Sequence, residues 1–364
     1  MNERERFLRT MNFEAVDRLS DFEFGYWTET IDRWHEQGLP IELKNNRDIE
    51  LYFKLEGWDC LDNLPVITDM WPGLPGRIVK DEGDRSVIDD GMGGIYIKKR
   101  WSSTIPYYIR QPIKNRKDWE KLRPFFDPDT PGRFPLNWDE VVEEYKKRNY
   151  LLGFHVGSLY GWLRNWMGVE RISLAFYREP EWVEDMMDTL TNLWMKLIVR
   201  ALKDVKVDYA TWWEDMCYNR GPLLSVKLFE EFMVPRYKKV TDLLRSYDIE
   251  INVLDCDGRI TDLVPGWLRG GINCMFPLEA LHTDAFELRE RFGRKVLLIG
   301  GVNKFALISG REAIDAELNR LKPLIEDGGY VPMVDHRVPP EVALENYVYY
   351  LKKKREVIGR NLSD

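Results

Sequence analysis

Along the second half of the chain, short apolar runs rich in β-branched residues alternate with longer amphipathic stretches. The apolar runs are LLGFHVG from Leu151, VDYATWW from Val207, IEINVLDCDG from Ile249, GINCMFPLE from Gly271, KVLLIGGVN from Lys295 and YVPMVDH from Tyr330. Each ends in polar residues and is followed by a segment of helix length, so six strands with crossover helices are expected. Strands joined by helices must run parallel. Pro180 opens one such helix, a position where its missing N–H costs nothing. Val183, Met186, Met187, Leu190, Leu193 and Trp194 then form an apolar stripe. Ser309 and Glu312 have capping-box spacing, Ser225 is placed to cap a helix, and Pro235 should restart it. Pro339 and Pro340 lead into the last helix, whose Lys352–Arg355 run reads as a solvated, dipole-favourable end.

The N-terminal third is less regular. A helix is expected over Glu3–Met11. LSDFEFGYW alternates Phe22, Phe24 and Tyr26 with Asp21, Glu23 and Gly25, which predicts a first strand. Thr28 is placed to cap the helix after it. Residues 77–101 read as antiparallel β-hairpin strands, turning at Glu82 and Asp89, an excursion able to cover one end of the fold. Seven or more strand signals in one chain of 364 residues predict a closed (β/α)₈ barrel, a single domain over residues 1–364 with N-terminal helical and hairpin additions.

Charge and composition narrow the function. The net charge of −8 argues against a nucleic-acid or anionic-membrane surface. No run is apolar and long enough to span a bilayer, and the N-terminus has no signal-type segment, so a cytoplasmic protein is expected. Cys60, Cys217, Cys256 and Cys274 form no CxxC pair and read as reduced, buried thiols. No GxGxxG or GxxxxGK[ST] loop is present, and GMGG at Gly91 belongs to a turn between strands.

In a barrel, chemistry gathers at the carboxyl ends of the strands. That filter selects His155, Trp213, Glu214, Asp215, Asp255, Asp257, Asn273, Glu279, Asn303, Asp335 and His336. Asp255 and Asp257 flank Cys256 and share one phase, over the barrel interior. Glu214 and Asp215 are adjacent, so one faces the pocket while the other pairs with Arg220 or caps a helix. His155 is a core histidine or a functional one. His336, in VDHRVPP, is a rim residue whose loop two prolines stiffen. His35 and His282 read as surface or packing residues. Asp257, His336, Glu214 and His155 are the candidate catalytic residues. Asp255, Asp257, His336 and Glu214 are the candidate ligands for zinc or another divalent ion. Trp213, Asn273, Glu279 and Asn303 are the candidate cofactor contacts.

Several stretches, taken in order, resemble the uroporphyrinogen decarboxylase superfamily: DRLSDFEFGYW, GSLYGWLRNWMGVE, EDMCYNRGPLLS with FMVPRYKK, LDCDG, GGVNK, and GGYVPMVDHRVPP with ENYVYY. The resemblance implies a (β/α)₈ barrel with its active site in the C-terminal mouth. The superfamily holds decarboxylases and methyltransferases that serve corrinoid proteins. Its decarboxylases carry arginines in the N-terminal segment, where this chain has the acids of LSDFEFGYW. Its methyltransferases resemble one another in a zinc-binding HxCG, where this chain has Asp255-Cys256-Asp257-Gly258, so the thiolate set is lost and oxygen and nitrogen ligands remain.

Three readings follow. The resemblance favours a corrinoid-dependent methyltransferase, moving a methyl group between an O- or N-methyl compound or folate and a corrinoid carried by a partner protein, with metal or acid assistance. The second is a carboxy-lyase without cofactor, whose carboxylate anchors would come from Arg18, Arg110, Arg164, Arg259 and Arg337. The third is a non-catalytic ligand-binding protein on the same scaffold. A homodimer is also expected from the resemblance.

Overall fold

A computed structural model of the chain describes residues 1–56, 62–99 and 106–360. Cys60 and the last two positions of the expected hairpin excursion, Arg100 and Trp101, lie outside them. All six apolar runs of the second half form strands. With Asp62–Asn63 they build a seven-stranded parallel sheet. In chain order the strands are β1 (Asp62–Asn63), β2 (Arg77–Asp81), β3 (Arg85–Asp89), β4 (Ile95–Lys99), β5 (Tyr107–Arg110), β6 (Leu152–Gly157), β7 (Tyr209–Trp213), β8 (Cys217–Tyr218), β9 (Gly221–Pro222), β10 (Asn252–Asp255), β11 (Cys274–Phe276), β12 (Leu297–Val302) and β13 (Tyr330–Val334). The parallel sheet runs β1-β6-β7-β10-β11-β12-β13, with Asp255 in register with Trp213 on one side and Phe276 on the other.

Two apolar layers sandwich these strands. One face packs on the surrounding helices, with Leu254, Met275, Leu298 and Val334. The other encloses Tyr209, Ile251, Val253, Cys274, Phe276, Ile299, Val331 and Met333, and Phe7 and Met11 of the first helix join that cluster. Such doubly covered strands carry near-continuous hydrophobic runs, which is why they stood out in the sequence. Truncating Ile299 to Ala would cost about 2–5 kcal/mol.

The expected first strand departs from prediction. Among the described residues LSDFEFGYW forms no ladder, and no ladder joins β13 to β1. It meets the segment that follows β13 through one bridge, Tyr26 to Val338. The Val338 N–H donates to Gly25 O at 2.9 Å. The Val334 N–H donates instead to the Glu23 carboxylate, at 3.2 Å. A side chain thus replaces a neighbouring backbone as acceptor. The alternation was nevertheless informative: Phe22 and Phe24 join the enclosed cluster. Asp21 and Glu23 turn to the last helix, Leu344–Ile358.

There Lys354 is fully buried, 2.6 Å from Glu23 and 3.0 Å from Asp21. Arg355 and Arg360 also reach Asp21, at 2.8 and 2.6 Å. Burial opposes charge on Asp21, but Lys354 and Arg355 outweigh it and hold its pKa at about 2. Of the Lys352–Arg355 run, Lys352 is exposed as expected, but Lys354 is not part of a solvated face. Buried charges need partners, and the acids of LSDFEFGYW supply them.

Smaller expectations divide. Pro180 and Pro235 sit in first helical turns, and Ser225 accepts from the Leu228 N–H. Thr28 and Ser309 do not cap: Trp27 precedes the helix Thr28–Glu36, and Ser309 donates back to Phe305 O. The excursion is larger than a hairpin, a four-stranded antiparallel sheet β2-β3-β4-β5 ending at Arg110. No described helix is long and apolar enough to cross a membrane.

Candidate active site

The carboxyl ends of the parallel strands open into a cleft of about 770 Å³. Asp215, Asp257 and Glu279 line it from the strand ends, and Tyr107 and Tyr108 of β5 line it from the excursion. A smaller cavity of about 170 Å³ lies among β6, β7, β10 and β11, against His155, Thr211, Trp213, Asp255 and Phe276.

Asp257 and His336 meet. Nε2 of His336 is 3.4 Å from Oδ2 of Asp257. Trp27 stacks on the His336 ring at 5.4 Å, and Phe24 meets it edge-on at 5.7 Å. Burial disfavours the imidazolium, but the Asp257 carboxylate outweighs it and raises the pKa. The other carboxylate oxygen of Asp257, Oδ1, is buried without a hydrogen-bond partner.

Asp255 is half-buried and faces the small cavity. Burial, with Asp257 and Asp215 nearby, drives its pKa well up, against a smaller opposing pull from Arg337. Burial therefore favours the neutral form of Asp255. Across the same cavity His155 bonds through Nδ1 to Thr211 at 3.0 Å. Burial lowers its pKa to about 4, so it is neutral.

The two adjacent acids after β7 part as expected. Asp215, in a left-handed conformation at φ +46°, lines the cleft. Its partner is Arg164 at 3.2 Å, not Arg220, and Arg164 also lies over the Trp213 ring at 5.5 Å. Glu214 is fully buried away from the cleft. Its carboxylate accepts from the N–H groups of Leu159 and Tyr160, at 2.9 and 2.7 Å, and from Ser158 Oγ at 3.0 Å. These contacts fix the loop that opens the helix Gly161–Met167.

The remaining candidates separate. Glu279 stands in the mouth, accepting from the Gly258 N–H at 2.8 Å and from Lys304 Nζ at 3.0 Å. Asn303 caps the helix Lys304–Ser309 by accepting from the Phe305 N–H. Asn273 precedes β11 and bonds to Asn252 N–H and Glu250 O at the opposite end of the sheet. Asp335 is buried, accepting from the N–H groups of Ala280 and Lys304. Lys304 was missed, although it follows a strand end in GGVNK. Arg164, a candidate carboxylate anchor, reaches the mouth from the helix Gly161–Met167, and Trp27 gave no sequence signal because it comes from the irregular first segment.

Of the four expected metal ligands, Asp257 and His336 meet. Glu214 is spent on the Ser158–Tyr160 loop. Among the described residues no three His, Cys, Asp or Glu side chains gather as a metal-holding group. Cys217, Cys256 and Cys274 are buried free thiols.

Residues 90–356 match the uroporphyrinogen decarboxylase (URO-D) family profile. The chain belongs to the uroporphyrinogen decarboxylase family. Among solved structures it is similar to a methyltransferase from Methanosarcina mazei, at 16% identity and a TM-score of 0.60, over 98% of this chain and 99% of that one. At that identity the likeness concerns the fold. A Bacillus subtilis mannanase aligns at 12% identity and a TM-score of 0.34, over 60% of this chain and 70% of that one, too distant to bear on chemistry. No curated protein matches the chain significantly.

Proposed function

We propose that this URO-D family member is a methyltransferase of the corrinoid-dependent type, taking the methyl group from an O- or N-methyl compound with acid rather than metal assistance. The sheet would close as a (β/α)₈ barrel, with the Leu19–Trp27 segment in the eighth position. The observation that carries the reading is the contact of His336 with Asp257, 3.4 Å apart, in which the carboxylate favours the imidazolium, with Asp255 in the adjoining small cavity.

A methyl–oxygen or methyl–nitrogen bond breaks with its electron pair on the departing heteroatom. That atom is a poor leaving group unless a proton or a cation meets the charge. His336 is placed to deliver that proton, and Asp257 orients the ring and favours its charged form. The corrinoid, when presented by a partner protein, supplies the methyl acceptor. The open cleft, with Tyr107, Tyr108 and Tyr218 on its wall, leaves room for a flat ring there. Glu279 and Asp335 fix Lys304 beside the mouth.

Decarboxylation of a porphyrinogen carrying many carboxylates is less well served, because it needs inward cations. Arg18 is held by Glu56, Arg164 by Asp215, and Arg259 lies beside Asp262 at 3.8 Å. Arg110 stands in an outer groove rather than in the cleft, which leaves Arg337, over the Phe24 ring at 5.1 Å, as a single cation beside Asp255 among the described residues.

The test is methyl transfer to free cob(I)alamin from a panel of methoxylated and N-methylated compounds, followed spectroscopically, beside carbon dioxide release from uroporphyrinogen. Transfer that disappears in His336→Ala supports the proposal. Carbon dioxide release without methyl transfer overturns it.

A further inference from the structure

A second groove, of about 630 Å³, runs outward from the mouth. It shares Tyr108, Gln111, Gly168 and Val169 with the cleft, so the two are continuous. One wall is β5, and the other is the helix Val169–Arg178. Met167, Ala175 and Trp182 give its floor an apolar character.

Its charges differ from those of the mouth. Arg110, Lys114, Arg171 and Arg178 line it, against Glu170 and Glu179. Among the described residues, none of the four cations has an ion pair within 4 Å. Arg110 and Arg171 donate to backbone carbonyls, of Gly93 and Met167, which fixes their direction and leaves other N–H groups available. In a chain of net charge −8, these four cations gather along one concavity, where they outnumber its two carboxylates. Gly168 keeps the junction open. It holds φ +83°, and a Cβ there would stand 3.3 Å from Gln111 Nε2.

We propose that this groove is a binding subsite for the anionic tail of an extended ligand whose reacting end lies at Asp257 and His336. A tail bearing several carboxylates or phosphates matches the fork geometry of three arginines and the point charge of Lys114. The subsite rests on the mouth being the reactive centre but not on the reaction being methyl transfer.

Calorimetric binding of two probes to the full chain tests it: tri-γ-glutamate for a carboxylate tail and inorganic pyrophosphate for a phosphate tail. Binding of either should weaken with added salt. It should fall about tenfold or more in Arg171→Gln/Arg178→Gln and persist in His336→Ala. Preference for one probe identifies the tail. Arg110→Gln, on the opposite wall, checks the result if the double variant folds poorly. No binding of either probe to the unaltered protein, or binding that the arginine substitutions leave unchanged, overturns the proposal. Because the readout is binding alone, absent methyl transfer with intact probe binding would reject the proposed reaction and keep the subsite.

Discussion

His336 Nε2 stands 3.4 Å from Asp257 Oδ2, and the two residues, far apart in sequence, meet over the mouth. His336→Ala should abolish most activity and leave the protein folded, with a melting loss limited to its contacts with Asp257, Trp27 and Phe24. Activity on the identified donor, measured beside melting, checks this. Retained activity would remove His336 from the centre, and global unfolding would make it structural.

The same pair sets a pH dependence. The folded pKa of His336 is raised, above the ordinary value of about 6.5. Its stabilisation should be fully present below that ordinary value and lost as pH rises through the folded one. Melting of the unaltered protein and His336→Gln across this window should converge at the alkaline end. A constant difference would mean that the pair is not ionic.

Asp255 predicts an opposite benefit from substitution. Its folded pKa lies well above the usual carboxylate value, so the folded state loses relative stability as pH climbs from about 4 towards that raised value. Asp255→Asn should therefore melt higher than the unaltered protein at neutral pH and lose that advantage in acid. An asparagine variant less stable at neutral pH would contradict a neutral Asp255. Its methyl transfer should fall even so, because the amide is no acid.

Glu214 predicts the reverse pattern from His336. Three donors on Ser158, Leu159 and Tyr160 lose their acceptor in Glu214→Ala. A cost on the order of 3–5 kcal/mol is expected. Activity should fall together with the denaturation midpoint. Loss of activity at unchanged stability would return Glu214 to the chemistry.

Gly258→Val should destabilise far more than Pro235→Ala. Gly258 holds φ +80°, and a Cβ would come within 2.9 Å of the Tyr218 backbone. Pro235 occupies a first helical turn, where alanine is tolerated at a cost of roughly 1 kcal/mol or less. Equal melting losses for the two variants would be inconsistent with this geometry.

The sequence by itself determined the strands of the second half, because strands covered on both faces must be apolar along their length, and β6, β7 and β10 to β13 announce themselves that way. It also determined the inward phase of Asp255, which follows Ile251 and Val253 at a spacing of two. It also expected Glu214 and Asp215 to part, although both lie beyond β7 and Asp215 leaves strand geometry at φ +46°. Tertiary structure decided the rest. Lys354 reads as one cation in a basic run, and only the packing of the last helix against Asp21 and Glu23 buries it. The first segment alternates like a strand, yet the Glu23 carboxylate takes the Val334 N–H, a competition between side chain and backbone that periodicity does not express. Asn273 falls near a strand signal, but only the observed start of β11 places it at the far end. The meeting of His336 with Asp257, and the groove that β5 makes with the helix Val169–Arg178, are contacts across long stretches of chain, fixed by how the sheet and the excursion pack rather than by any local pattern.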